Sequence, residues 1–450
     1  MVGAQRADEA WGERIDRAVS AVRAGELRLV RVFYADYNGL LRGRVVHAAG
    51  LADRFYEGVA VPLVELVADG HDRSPHDPPP GFGTTEEVRL VADPTSLVTL
   101  PYAPRTGAML GDLLTLGREE WDGCPRSFLR RVLADAERDG LLVEAVFDPQ
   151  FYLLEAGNVA GRWHPVERTP AASAAGMQAA AAFTLDLVDG LEQQGVEIEQ
   201  TAPGAGPGQH GLTVRHGPAL QAADRHLWLR ETVRATAARH GLRATFAARP
   251  LADERPSASH VHLSLWDTRT GENRFYDPAD PGGLSASGRR FAAGVRAHLP
   301  ALMAILRPTV NAYRPGAADG IDPGVEGPED AVTVPPPMWG REQGTTNVEV
   351  RAVDGTCNPY LALGAILAAG LDGLRGGADA GPVAPPPASP SAPPPPSLGD
   401  ALDALAADEV LVRALGTPLA GAFERVRRTE LAATPASPGP EEYDDHIRRY

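Results

Sequence analysis

The 450-residue chain has two cysteines, Cys124 and Cys357, and no lysine at all. Two cysteines so far apart build neither a disulfide framework nor a cysteine-based zinc motif, and they fit a reducing cytosol. The formal net charge is −16. That balance excludes the clustered basic surface of a nucleic-acid binder and a polybasic membrane contact. No run of about 18 apolar residues exists to span a bilayer. Residues Met1 to Arg6 lead into a charged amphipathic stretch and lack the apolar segment of a secretion signal. A cytoplasmic protein with no nucleic-acid or membrane partner is expected. The abundance of Ala, Gly, Pro and Arg points to a GC-rich genome and says nothing about mechanism.

Apolar residues make up 43% of the chain, enough for a sizeable core. Residues 9–25 carry helix-period apolar positions. Leu27 to Tyr34 and Leu40 to Val46 read as strands around the turn Asp36-Tyr37-Asn38-Gly39, a β-hairpin. Two short strands follow near Val88–Val91 and Leu97–Leu100. The larger part starts near residue 106, so the expected domains are 1–105 and 106–450. In the second, helices are expected over Arg126–Asp139, Ala171–Gln194, Leu220–His240, Phe291–Leu306 and Pro359–Leu374. Strands are expected over Leu142–Phe147, Phe151–Leu154, Val196–Gln200, Ala244–Ala247 and His260–Trp266. Residues 377–397 are a Pro-rich, low-complexity loop. Strands and helices interleave without a βαβ rhythm, so the class is α+β and not a doubly wound sheet. The Gly-rich run Gly204 to Gly208 has no following Lys-Ser/Thr, which argues against a phosphate-binding P-loop.

Four short constellations carry chemistry. In His260-Val261-His262-Leu263-Ser264, alternation along a strand places two imidazoles and a hydroxyl on one face. In Glu349-Val350-Arg351, a carboxylate suited to a divalent cation and a guanidinium suited to an anionic oxygen share a face. Taken alone, that pair is better explained as an exposed same-face salt bridge. Asp148 and Gln150, two apart before Phe151-Tyr152-Leu153-Leu154, offer two oxygens to a hard cation. Glu197 and Glu199 form a same-face acidic pair whose default reading is surface charge.

Taken in order, these pieces resemble the glutamine synthetase family, particularly its amine-ligating relatives, over roughly residues 25–450. The segments that carry the resemblance are Asp36 to Gly43, Asp148 to Leu154, Gly195 through Pro207-Gly208-Gln209, and His240 to Phe246. His260 to Trp266, Pro308 to Tyr313, Trp339-Gly340, Val348 to Arg351 and Asn358 to Leu363 complete it. The resemblance implies an N-terminal β-grasp domain and a large catalytic domain built on an antiparallel sheet. It implies ATP and Mg²⁺ or Mn²⁺ as cofactors, an acyl-phosphate intermediate, and displacement of phosphate by an amine. It also implies a homo-oligomeric ring, commonly a dodecamer of two stacked hexamers in bacteria.

Residue by residue, the resemblance makes Asp148, Gln150, His260 and Glu349 the metal set. His262 and Ser264 fall on the nucleotide side. Arg351 contacts the γ-phosphate and the substrate, and Arg314 matches a transition-state arginine. The departures are equally specific. Two metal-binding glutamates of the family are Gly204 and Gly211 here, and one of its paired glutamates is Gln150. Its Asn-Gly before the first histidine is Arg255-Pro256, and its flap glutamate is missing from Ala317-Ala318-Asp319-Gly320. Two functional readings follow: a carboxylate–amine ligase with an altered amine and fewer metal sites, or a catalytically inactive relative with a binding role.

Overall fold

The computed structural model describes residues 2–450 apart from 76, 77, 80, 84, 159–161, 281, 316–330, 377–393 and 436, with residues 2–9 described by backbone alone. The expected flap segment after Gly316 and most of the Pro-rich loop lie outside the described residues.

A helix, Val2–Ala24, precedes the hairpin β1 (Leu29–Ala35) and β2 (Leu41–His47), which pair in register from Leu29↔His47 to Ala35↔Leu41. The turn between them is held by Asp36, whose Oδ1 accepts from the amides of Asn38 and Leu40, each at 2.9 Å. Gly39 sits at φ 74°, and a Cβ there would stand 2.5 Å from the carbonyl oxygen of Thr356. The turn is thus glycine-dependent for its conformation and for its close docking on the second domain. β3 (Val59–Pro62), β4 (Glu87–Ala92), β5 (Val98–Thr99) and β6 (Thr106–Leu114) complete a sheet of order β2-β1-β6-β4-β3, with β5 against β6. β6 runs parallel to β1 at its centre. The N-terminal sheet therefore takes in residues 106–114 and does not stop at residue 105.

The second sheet is antiparallel throughout. It contains β7 (Leu141–Glu155), β8 (Ile198–Pro203), β9 (Gln209–Val214), β10 (Gly217–Pro218), β11 (Leu242–Thr245), β12 (Ser259–Asp267), β13 (Val332–Thr333) and β14 (Val348–Val350). Its order is β13-β14-β12-β7-β9-β8, with β10 and β11 also on β7. The two strands expected on either side of Pro149 are one 15-residue strand. Pro149 lacks an N–H and marks the place where β7 changes partners. Up to Pro149 it pairs with β12; from Gln150 it pairs with β9 and then β11. Asp148 and Gln150 flank that bend.

Helices Pro125–Arg138, Ala219–Arg239, Ala286–Ala297, Leu299–Leu306 and Pro359–Arg375 supply most of the core beside the sheets. Helix Pro359–Arg375 buries Leu361, Leu363, Ile366, Leu367 and Leu371, and starts at Asn358, whose Oδ1 accepts from the amides of Tyr360 and Leu361. Two of the expected helices are each broken. Ala171–Gln194 becomes Ala174–Ala179 and Ala181–Glu192, started by Ser173, which caps the amide of Gly176. Phe291–Leu306 is split at His298, because Pro300 has no N–H to continue the preceding helix and is tolerated only in a first turn.

A buried charge network ties the two domains together. Arg126, 3% exposed, reaches Asp224 at 2.8 Å, Asp93 at 2.9 Å and Asp112 at 3.2 Å. Asp112 is on β6 of the first domain and Asp224 on a helix of the second. Among the described residues no helix is long and apolar enough to cross a membrane.

Candidate active site

The pleat of β12 sends Val261, Leu263 and Leu265 into the core, each 1% exposed or less, and leaves His260 and His262 on the open face. Register then decides their neighbours. His260 lies opposite Asp148 on β7, and His262 opposite Glu349 on β14. Three segments more than a hundred residues apart in places thus form one row. His260 Nδ1 stands 2.9 Å from Glu349 Oε1, and His262 Nε2 stands 3.9 Å from the same oxygen and 3.7 Å from Asp148 Oδ2. Asn347 Oδ1 accepts from His262 Nδ1 at 3.0 Å, which turns Nε2 toward the two carboxylates. Arg351 Nε is 4.0 Å from Glu349 Oε1.

The two carboxylates differ in character. Burial pushes the Glu349 carboxyl up, but hydrogen bonds from His260 and Thr333, with the charges of His260 and His262, outweigh it and hold the group at about 2. Burial raises the Asp148 carboxyl, and His262 and Thr213 only partly oppose it. Asp148 Oδ2 accepts from Thr213 at 3.3 Å, while its buried Oδ1 has no hydrogen-bond partner among the described residues.

The row separates two cavities. One, of about 200 Å³, is lined by Asp148, His262 and Ser264 together with Glu144, Glu199 and His216. The other, of about 500 Å³, is lined by Gln150, His260 and Arg351 with Arg249, Arg307 and Arg314. Pro394 to Pro396, the described end of the Pro-rich loop, border the second cavity.

Each residue singled out in the sequence has a definite place. Asp148, His260, His262 and Glu349 come together. Ser264 shares the first cavity, where its Oγ accepts from Trp266 Nε1 at 2.9 Å. Gln150 borders the second cavity, and its Oε1 is taken by Gln209 Nε2 at 2.9 Å. Arg314 borders that cavity too, but its guanidinium grips Glu442 of the C-terminal helix at 3.0 and 2.8 Å. Glu197 and Glu199 both pair with Arg215. Gly211 faces Gln150 across β7 and β9, and a Cβ there would meet nothing within 4 Å. At Gly204 a Cβ would stand 2.8 Å from Gln209, whose side chain fills that space.

Sequence reasoning missed Glu144, Thr213, His216 and Thr333. Glu144 and His216 pair at 3.1 Å in the first cavity, and the hydrogen bond that His216 donates to Glu144 raises its imidazole. Extending the period of two back from Asp148 reaches Glu144. His216 and Thr333 have no comparable local signal.

Gly204 and Gly211 offer no side-chain donor, and the Oε1 of Gln150 is bonded to Gln209. Among the described residues no three His, Cys, Asp or Glu side chains converge as a formed metal site.

A mixed N-terminal sheet and an antiparallel second sheet make an α+β fold, with an imidazole–carboxylate–guanidinium row between two cavities. The sequence profile of the glutamine synthetase N-terminal domain matches residues 14–126, and that of the glutamine synthetase catalytic domain matches residues 122–446. A glutamine synthetase of Halobacterium salinarum is 30% identical over 97% of both chains. One from Mycolicibacterium smegmatis is 30% identical over 94% of this chain and 95% of its own. Among solved structures, a novel glutamine synthase homolog superposes with a TM-score of 0.83, at 30% identity over 94% of this chain and 99% of its own. GmaS in complex with ADP superposes at 0.79, with 27% identity over 96% and 99%. The chain belongs to the glutamine synthetase family.

Proposed function

We propose that this chain is an ATP-dependent carboxylate–amine ligase that uses an amine other than simple ammonia and fewer metal ions than its relatives. The observation that carries the reading is the row His262–Asp148–Glu349–His260–Arg351, which lies between two cavities and so meets both halves of a two-substrate reaction. GmaS, a structural relative, is solved in complex with ADP, which supports use of an adenine nucleotide here, and we place that nucleotide on the side of His262 and Ser264. A carboxylate oxygen of the acid attacks the γ-phosphorus of ATP, ADP leaves, and an acyl phosphate forms. The amine nitrogen then attacks the acyl carbon, phosphate leaves, and the nitrogen loses a proton.

Arg351 sits where its guanidinium meets an anionic oxygen of the phosphoryl group or the acid. Glu349, held ionised, orients His260 by their 2.9 Å contact. Mg²⁺ or Mn²⁺, held by Asp148, His260 and Glu349, supplies neutralisation of phosphate charge when bound. Gln150 borders the second cavity with an amide and no carboxylate, and Gly211 opposite it adds none, which favours an amine bulkier or less basic than ammonia. The family's ring assembly belongs to the same proposal.

A second reading, an inactive relative, is favoured by one observation: Gln209 fills the space beside Gly204 and occupies Gln150, so that part of the site is closed on itself. ADP release from ATP across panels of acids and amines, with Mn²⁺ or Mg²⁺, separates the two. The ligase reading expects amine-stimulated ADP release that falls at least about a hundredfold, about 2.7 kcal/mol, in His260→Ala and Glu349→Gln. Absence of amine-stimulated release in the folded wild-type protein establishes the second reading instead.

A further inference from the structure

A third cavity, of about 270 Å³, opens between the domains and shares no lining residue with the two described above. Its walls are the hairpin end Gly39 to Arg42, Gly70 and Asp72 from the first domain, and Leu227, Arg230, Glu231 and Arg234 from helix Ala219–Arg239. Three guanidinium groups therefore meet two carboxylates. Arg42 is neutralised by Asp36 at 3.0 Å and Asp72 at 2.6 Å. Arg234 lies 3.7 Å from Glu231.

Arg230 is different. It is 3% exposed, and its guanidinium donates only to backbone carbonyls, those of Cys357 at 3.3 Å and Gly39 at 3.2 Å. Among the described residues it has no carboxylate within ion-pair distance. A carbonyl satisfies an N–H but does not neutralise the charge, and a buried charge without a counter-ion is costly. Burial chiefly, with the nearby charge of Arg234, disfavours the charged form of Arg230, and the charge of Glu231, beyond ion-pair distance, opposes this only in part. The compensation present is weak: the guanidinium carbon lies 5.9 Å from the Phe246 ring. Two other deeply buried arginines are matched by carboxylates, Arg126 by three aspartates and Arg427 by Glu430.

We infer that this interdomain cavity is a binding site for a small oxyanion of the phosphate class, held by Arg230 with Arg42 and Arg234. A tetrahedral oxyanion accepts several N–H donors at once and supplies the missing charge. The site joins the hairpin turn to helix Ala219–Arg239, so an occupant fastens the two domains to each other.

Inorganic phosphate is the probe, titrated into the full chain by calorimetry with chloride replaced at constant ionic strength, and followed by melting temperature. Saturable binding with a rise in melting temperature is expected, weakened at least about tenfold in Arg234→Gln, whose side chain is partly exposed. Arg42→Gln serves as the second variant should the first lose its fold. Arg269→Gln, 86% exposed and remote, removes the same charge and leaves the affinity unchanged, which separates a site from general attraction. Arg351→Gln separates it from the proposed substrate cavity, because phosphate is a product there. Absence of saturable binding overturns the inference. So does binding indifferent to Arg234→Gln, or binding lost in Arg351→Gln or in Arg269→Gln.

Discussion

Gly211→Glu is the substitution that bears most directly on the chemistry. Gly211 pairs with Gln150 across β7 and β9, and Thr213, two residues on, reaches Asp148 from the same face. A side chain at 211 therefore enters the site between Gln150 and Asp148. Among the described residues nothing lies within 4 Å of a Cβ there, so the first atom of the new side chain meets no clash. Its electrostatic consequence has two signs. Without metal, a new carboxylate beside Asp148, whose proton affinity burial already raises, lowers stability. With a cation about 4 Å away, each unit of opposite charge contributes about 4 kcal/mol at an effective dielectric near 20. Desolvation of the new carboxylate returns several kcal/mol of this, and we expect a net gain of at least about 1.4 kcal/mol, a tenfold tighter Mn²⁺ affinity. Mn²⁺ titration followed by electron paramagnetic resonance, alongside melting temperatures with and without the ion, reads both signs. Gly204→Glu is the contrasting variant: its Cβ meets Gln209 at 2.8 Å and must displace the side chain that holds Gln150, so it loses stability without gaining metal affinity. An unchanged Mn²⁺ affinity in Gly211→Glu refutes the reasoning that Asp148 and the 211 position face one cation site.

Two further outcomes follow from buried charge. Arg126→Met leaves Asp93, Asp112 and Asp224 without their shared partner, and a loss of about 3–5 kcal/mol in urea unfolding is expected; a loss under 1 kcal/mol rejects the clamp. His298, at the break between two helices, is raised chiefly by its hydrogen bond to Asp408 at 2.6 Å, with burial opposing. Its contribution is fully present below the ordinary imidazole pKa near 6.5 and disappears as pH rises through the raised folded value. The stability difference between wild type and His298→Gln should therefore shrink on going alkaline, and a difference that is flat from pH 5 to 9 contradicts the pairing.

Local pattern carried much of the architecture. Alternation over His260–Trp266 and Val348–Arg351 is visible without any structure, because a strand's side-chain period of two follows from its backbone. The hairpin around Asp36-Tyr37-Asn38-Gly39 is equally local, since an Asp side chain closes it on its own backbone. Element ends were less legible. Pro300 ends one helix and starts another, yet the apolar run through Leu306 hides the break. Strand β7 reads as two strands because proline usually ends pairing, whereas here the chain changes partners and continues.

The ordered motifs alone were enough to place the chain in its family, since residue identity and strand period are properties of the chain itself. Tertiary structure decided which groups meet. It set His260 against Asp148 and His262 against Glu349 through the register of β7, β12 and β14. It engaged Arg314 with Glu442 more than a hundred residues away, and it left Arg230 without a carboxylate at the domain joint. Those outcomes depend on strand register and domain docking, which are won by the summed packing of distant segments and leave no mark in the local pattern of any one of them.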